Sequence, residues 1–123
     1  MASDKSVAIV DDERNLVRTY ELLLKHRHIP ISFMAYDADD AIEKFRKADP
    51  KPKVVIIDYR LPHKTGIDVM RAIVADAPGT KIIFISGDEE ARKGSLEAGA
   101  DLFLKKPARI KDITDSINAL LAG

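Results

Sequence analysis

The chain has no cysteine among its 123 residues, which excludes disulfide bridges and thiolate metal sites. It also lacks any apolar run that approaches the roughly 20 residues needed to cross a bilayer. The amino-terminal stretch MASDKSVAIVDD carries charges where a secretion signal would need a longer apolar core. We therefore expect a cytoplasmic protein that does not act at a membrane.

An excess of positive charge is missing as well, because lysine plus arginine and aspartate plus glutamate both number 20. A protein that binds nucleic acid directly, or an anionic membrane surface, would need such an excess. The hydrophobic content of 46% and the charged content of 33% are ordinary for a globular protein. Without a linker or low-complexity segment in view, we expect a single domain over residues 1–123 and no direct binding of nucleic acid.

Five short apolar runs have the composition of buried strands, and each is followed by a segment with helical spacing. The predicted strands are Val7–Val10, Ile31–Ala35, Val54–Ile57, Lys81–Ile85 and Leu102–Leu104. Apolar residues at helical spacing occur within 16–24, 38–45, 67–74 and 110–121, and a weaker helix is predicted over 88–98. Strands that alternate with helices in this way predict a parallel, doubly wound α/β sheet with helices on both faces.

The weak helix over 88–98 has little to hold it in place. Gly94 in its interior costs about 1 kcal/mol against alanine, and the inward residues Ala91, Ser95 and Ala98 are all small. Little buried area means that this helix is the one most easily displaced.

Polar residues follow the predicted strands at the points where the strands end. Taken singly, each has a simple explanation, such as a helix cap, a turn or a solvated charge. In a parallel sheet, however, all carboxyl ends of the strands lie along one edge, so these residues should converge. They are Asp11, Asp12 and Glu13 after the first strand, Asp58 after the third, Ser86 after the fourth and Lys106 after the fifth.

Such a group of carboxylates needs a cation. Two carboxylates about 4 Å apart repel by about 4 kcal/mol at an effective dielectric constant of 20. Oxygen ligands without sulfur or imidazole favour a hard ion, so we predict Mg²⁺, with Mn²⁺ as a substitute. With Lys106 opposite, the site would suit a phosphoryl group, for which Asp58 is the natural nucleophile and Ser86 a hydrogen-bond donor.

The chain resembles the receiver domain of two-component response regulators over about residues 6–121. The resemblance is carried by VAIVDDE (7–13), VVIIDYRLPHKTG (54–66), IIFISGDEEA (82–91) and EAGADLFLKKP (97–107). It implies a flavodoxin-like (βα)5 three-layer sandwich, with a five-stranded parallel sheet in the order 2-1-3-4-5.

Position by position, the resemblance implies that Asp58 is the phosphoacceptor. Asp11 and Asp12 resemble the acid pair, with Asp12 binding the metal directly and Asp11 acting largely through water. The remaining roles are the backbone carbonyl of Arg60 as a metal ligand, Ser86 as the switch hydroxyl, Lys106 as the lysine before proline, and Phe103 as the aromatic switch residue. Ser86 would bond the phosphoryl group and vacate space that Phe103 can enter.

The resemblance also implies the partners of the domain. A sensor histidine kinase or a phosphotransfer protein would supply the phosphoryl group from a phosphohistidine. The switched surface, residues 88–106, would then engage a downstream effector protein or an effector domain outside this chain, with a phosphorylation-linked homodimer left open. Such a domain is a signalling module and not an enzyme that acts on other substrates.

Two further positions are predicted to tune the site. Arg60 lies two residues past the phosphoacceptor and Asp88 two residues past the switch hydroxyl, so both should flank the path of a hydrolytic water. An ion pair between them would shield the acyl phosphate and lengthen its lifetime, whereas two solvated charges would contribute only about 0–1 kcal/mol.

Three alternative functions fit the sequence less well. A hydrolase similar to the haloacid dehalogenases would need an acid where this chain has Arg60. A flavodoxin-like cofactor binder would need a phosphate loop where this chain has the acidic sequence DDERN. A receiver-like module that binds partners without phosphorylation would not need the full set of Asp11, Asp12, Asp58, Ser86 and Lys106.

Overall fold

The computed structural model describes residues 5–123, so the first four residues of the predicted domain lie outside the described range. Five strands alternate with five helices within this range. They are β1 Val7–Val10, α1 Arg14–His26, β2 Ile31–Ala35, α2 Ala38–Lys47, β3 Val54–Asp58, α3 Gly66–Asp76, β4 Lys81–Ser86, α4 Glu90–Glu97, β5 Leu102–Lys105 and α5 Ile110–Ala122. Among the residues described, no helix is both long enough and apolar enough to cross a membrane.

The strands form one sheet in the order β2-β1-β3-β4-β5, and every neighbouring pair is parallel. The predicted flavodoxin-like α/β fold is therefore confirmed. Strands β1 and β3 are central, and Val10 pairs with Ile57 at their carboxyl ends. Because of this register, Asp11 and Asp58 follow the last paired residues side by side.

The two faces of the sheet bury separate hydrophobic clusters. On one face, Val10, Ile57 and Phe84 pack against α2, α3 and the inner side of α4. On the other face, Ile9 and Ile56 pack against α1 and α5. Apolar side chains that point to both sides explain why β1 and β3 are continuous hydrophobic runs without polar alternation.

Three strands are one residue longer than the sequence predicts, and they end at Asp58, Ser86 and Lys105. Asp58 belongs to β3, where it pairs with Ile85, and Ser86 belongs to β4, where it pairs with Lys105. Although the side chains of Asp58 and Ser86 are polar, their backbones continue the pairing of the strands. The carboxyl end of β3 and β4 is thus rigidly held by its neighbours.

Helix α4 is the shortest of the five, with eight residues, and covers less than the predicted 88–98. Its buried side chains are Ala91 and Ser95, as expected from the small residues of its inner face, whereas Ala98 is only half-buried. The Ser95 hydroxyl is buried with no hydrogen-bond partner. Such a group costs about 1–3 kcal/mol, so α4 is weakly anchored to the sheet.

Candidate functional site

Three carboxylates meet at the carboxyl edge of the sheet. One oxygen from each of Asp11, Asp12 and Asp58 lies within 4.8 Å of the other two. Asp11 and Asp58 are buried and Asp12 is exposed, so the cluster opens to solvent on the Asp12 side. The predicted convergence of strand ends is what brings these three residues together.

Lys106 closes the cluster from the side of β5. Its Nζ lies 3.3 Å from Oδ2 of Asp11 and 3.3 Å from Oδ2 of Asp58. Its backbone N–H donates to the carbonyl of Ser86 at 2.8 Å, which continues the pairing of β4 with β5. The ladder therefore fixes the lysine backbone, and the side chain reaches across two strands to the aspartates.

The electrostatics of the site are those of a crowded anionic pocket. Burial raises the pKa of Asp58 from 3.8 to about 6, and repulsion from Asp11 adds to the effect, although Lys106 opposes it. Burial also raises the pKa of Asp11. Burial disfavours the ammonium form of Lys106, but attraction to Asp58 and Asp11 outweighs it, so the pKa of Lys106 lies above its ordinary value.

These residues fit a hard divalent cation. The three converging side chains offer only carboxylate oxygens, the donors that Mg²⁺ prefers. One lysine cannot neutralise three carboxylates, and repulsion from Asp11 adds to the effect of burial in raising the pKa of Asp58. The acidic triad is therefore consistent with the predicted Mg²⁺ site.

Ser86 stands beside the carboxylates at the end of β4, where it is buried. Its Oγ accepts a hydrogen bond from the Asp88 backbone N–H at 3.1 Å. A cavity of about 460 Å³ opens in front of these groups. It is lined by Asp12, Glu13, Asp58, Arg60, Ser86, Gly87, Asp88 and Lys106. The sequence-predicted site residues therefore line one cavity, apart from Phe103 and the deeply buried Asp11.

Phe103 lies on β5 and is already buried in the core. The guanidinium of Arg92, from α4, lies 4.8 Å from the centroid of the Phe103 ring, and Glu89 holds Arg92 at 2.5 Å. Phe103 is thus placed on the inner side of α4, in contact with the helix that is most weakly anchored.

Arg60 and Asp88 form the ion pair that the sequence suggested, with 2.6 Å between Nη2 and Oδ2. The hydrogen bond from Arg60 lowers the pKa of Asp88. The Arg60 backbone N–H also donates to Oδ1 of Asp58 at 3.3 Å. The pair bridges the loops that follow β3 and β4 at the mouth of the cavity.

The loop after β3 depends on a glycine that the sequence did not mark as important. A Cβ added to Gly66 would lie 2.8 Å from the Asp58 carbonyl oxygen and 2.5 Å from the Phe84 ring. The Gly66 N–H donates to the Tyr59 carbonyl at 2.7 Å, and Arg60 pairs with Thr65 across the loop. The absence of a side chain at Gly66 lets α3 begin directly against the end of β3.

Glu13 was expected at this edge of the sheet with Asp11 and Asp12, but no role in the site was predicted for it. Its Oε1 lies 3.4 Å from Nζ of Lys106, so three carboxylates surround the ammonium group. The available signal was its position directly after Asp12, which reads equally well as the start of α1. Its contact with Lys106 depends on a loop 93 positions further along the chain.

Fold and site together define a flavodoxin-like α/β protein with an acidic, lysine-closed pocket at the carboxyl ends of its central strands. The family profile of the response regulator receiver domain matches residues 7–118. The chain therefore belongs to the response regulator receiver domain family, the signalling modules of two-component systems, and is not a classical enzyme.

Curated relatives share about a third of the residues. The chain is 30% identical over 118 residues to the probable transcriptional regulatory protein TcrX of Mycobacterium tuberculosis, covering 94% of this chain and 49% of TcrX. It is 31% identical over 117 residues to the response regulator ArlR of Staphylococcus aureus, covering 94% of this chain and 52% of ArlR. The chain thus spans about half the length of these relatives.

Solved structures show the same fold. A CheY-like response regulator receiver domain protein from Methanospirillum hungatei superposes with a TM-score of 0.88 at 25% identity, covering 98% of this chain and 95% of that one. The structure of the CheX-CheY-BeF3-Mg complex from Borrelia burgdorferi matches with a TM-score of 0.85 at 26% identity, covering 94% of this chain and 87% of that one.

Proposed function

We propose that this receiver accepts a phosphoryl group on Asp58 from a phosphohistidine of a sensor histidine kinase or phosphotransfer protein. The observation that carries the proposal is the position of Asp58, buried at the end of β3 between Lys106 and the carboxylates of Asp11 and Asp12. The Asp58 carboxylate has the ammonium group of Lys106 on one side and, on the other, two carboxylates that could help to hold a metal ion. Both are what a transferring phosphoryl group requires.

The reaction is a displacement at phosphorus. An oxygen of Asp58 forms the new O–P bond while the N–P bond of the phosphohistidine breaks, and the imidazole leaves with the electron pair and takes up a proton. Lys106, which already lies 3.3 Å from Asp58, offsets the negative charge of the phosphoryl oxygens. Its raised pKa keeps the side chain positively charged throughout.

A bound Mg²⁺ would neutralise the phosphoryl oxygens and the carboxylates together. Asp12 and Asp58 would bind it directly, Asp11 would act largely through water, and the Arg60 carbonyl would complete the protein ligands. The exposed position of Asp12 supports its direct role. Mn²⁺ could substitute, since it accepts the same oxygen ligands.

Signalling would begin with a change of charge at Asp58. A phosphoryl group adds about −1.5 to −2 charges on the scale of other phosphoresidues. The Ser86 hydroxyl can turn to donate to it, which alters the bond that Ser86 now accepts from Asp88. Asp88 leads into α4, so this change is transmitted to the helix and to Phe103 beneath Arg92.

The surface that responds is residues 88–106. Only small buried side chains anchor α4, so a modest change in free energy is enough to shift it. The shifted surface would bind a downstream effector protein or an effector domain outside this chain, and a phosphorylation-linked homodimer would use the same face. The alternative is a module that binds partners without phosphorylation.

The Arg60–Asp88 pair would tune how long the phosphoryl group survives. It lies at the mouth of the cavity in front of Asp58 and bridges the two loops that a water molecule must pass. A closed pair would slow hydrolysis of the acyl phosphate by restricting the approach of water. The role is that of a gate and leaves the transfer step itself unchanged.

The test is the intact mass of the protein after incubation with acetyl phosphate and Mg²⁺, with and without EDTA. We expect a metal-dependent gain of one phosphoryl group, absent from Asp58→Asn. Beryllofluoride titration then asks whether the pocket binds a phosphoryl mimic. A wild-type protein that neither gains mass nor binds beryllofluoride would contradict the proposal and favour the phosphorylation-independent module.

A further inference from the structure

Lys106 has a third carboxylate partner that approaches from the solvent side. Oε1 of Glu13 lies 3.4 Å from Nζ, almost as close as the oxygens of Asp11 and Asp58 at 3.3 Å. The Glu13 side chain is 64% exposed, whereas that of Asp11 is 1% exposed. The ammonium group is therefore held between two buried carboxylates and one at the surface.

The backbone of Glu13 is fixed even though its side chain is exposed. Its N–H donates to Oδ1 of Asp11 at 2.9 Å, and its carbonyl accepts the first helical bonds of α1, from Leu16 and Val17. The side chain makes no capping hydrogen bond of its own. The Glu13 carboxylate is therefore free to reach Lys106 without loosening the start of the helix.

We infer that Glu13 is a positioning residue that holds Lys106 in the unphosphorylated receiver and competes with the phosphoryl group for it. This inference rests on the proposed function of Asp58. Lys106 must turn towards a phosphoryl group on Asp58, and each bond that it keeps with Glu13 opposes that movement. The Glu13 carboxylate also repels the phosphoryl charge directly.

The size of the effect follows from the geometry. Glu13 and Asp58 both contact the same nitrogen, so their carboxylates lie within about 7 Å of each other. Two unit charges at that separation in a water-like dielectric alter a binding constant by about threefold. The sign depends on the ligand, because a nearby carboxylate assists a cation and opposes an anion.

Glu13→Gln should therefore change two affinities in opposite directions. We expect Mg²⁺, which carries two charges, to bind up to about sevenfold more weakly, and beryllofluoride at saturating Mg²⁺ to bind about threefold more tightly. A variant that merely disturbed the loop after β1 would weaken both ligands. Opposite signs therefore separate the positioning role from a structural one.

The experiment is a pair of titrations followed by the amide resonances of the protein, first with Mg²⁺ alone and then with beryllofluoride at saturating Mg²⁺. The matched control is Glu43→Gln on α2, which removes an equally exposed carboxylate, also 64% exposed, that pairs with Lys47. The control should retain both wild-type affinities.

The outcomes distinguish the inference from the proposed function. Tighter beryllofluoride binding and weaker Mg²⁺ binding in Glu13→Gln alone would support the competition. Unchanged or weaker beryllofluoride binding by Glu13→Gln, with the wild type binding normally, would overturn the role of Glu13 and leave the proposed function intact. A wild-type protein that bound Mg²⁺ but not beryllofluoride would instead overturn the proposed function, and the inference with it.

Discussion

The ionised form of Asp58 should reduce the stability of the metal-free receiver. Its side chain is only 8% exposed, and burial together with Asp11 raises its pKa from 3.8 to about 6. Asparagine has nearly the same shape and no charge. We therefore predict that Asp58→Asn is more stable than the wild type at pH 8 in the absence of divalent metal.

The magnitude follows from the difference in pKa between the folded and the unfolded chain. A rise from 3.8 to about 6 corresponds to about 3 kcal/mol of destabilisation when the group is fully ionised. The attraction between Asp58 and Lys106 is already included in that shift, so we expect asparagine to stabilise the folded protein by about 3 kcal/mol at pH 8. Because the folded-state pKa is the higher one, the favourable contribution of Asp58 is fully present below pH 3.8 and is lost as the pH rises through about 6.

The measurement is urea unfolding in EDTA at pH 8 and at pH 5. The advantage of Asp58→Asn should shrink by about 1 kcal/mol at pH 5, where the wild-type carboxyl group is largely protonated in the folded state. Asp115→Asn, which removes an exposed carboxylate that contacts Lys111, serves as the control and should show no such pH dependence. An Asp58→Asn protein that was less stable than the wild type at pH 8 would refute the reasoning.

Three other predictions follow from particular contacts. Arg60→Ala and Asp88→Ala should each speed loss of the phosphoryl group by up to about fivefold, because an exposed ion pair contributes about 0–1 kcal/mol. The measurement is the decay of the phosphorylated mass with time, and equal rates in the wild type and both variants would contradict the proposed role of the pair. Ser95→Ala should raise the free energy of unfolding by about 1 kcal/mol, since it removes a buried hydroxyl without a partner, and a loss of stability would show that the hydroxyl is bonded. Gly66→Ala should lower the free energy of unfolding by about 2 kcal/mol, because its Cβ would meet the ring of Phe84; a neutral result would show that the start of α3 can move.

The order of elements could be read from the sequence because every strand is an apolar run, buried on both faces in β1, β3 and β4, and each helix has one apolar side. The errors fall at the ends of elements. Asp58 and Ser86 look like loop residues by polarity, but the backbone ladder continues through both. Hydrophobic patterns report where side chains are buried in apolar surroundings, and they miss a polar residue that the sheet itself holds.

The convergence of Asp11, Asp58 and Lys106 was predictable because strand direction alone brings the carboxyl ends together. The contact of Glu13 with Lys106 was not predictable, because the orientation of the Glu13 side chain depends on a lysine that is distant in sequence. The close approach at Gly66 was hidden for a similar reason. It depends on Phe84 of the neighbouring strand, and a lone glycine before a helix looks like an ordinary turn residue.

Because only small side chains attach α4 to the sheet, most of the surface of this helix is available for contacts with partners. Its outward positions, such as Lys93, Leu96 and Glu97, face solvent and are not part of the hydrophobic clusters. Substitutions at exposed positions of this kind usually change stability by no more than about 0.5 kcal/mol. If α4 binds partners as proposed, substitutions on this helix can change recognition without altering the proposed phosphoryl chemistry at the strand ends.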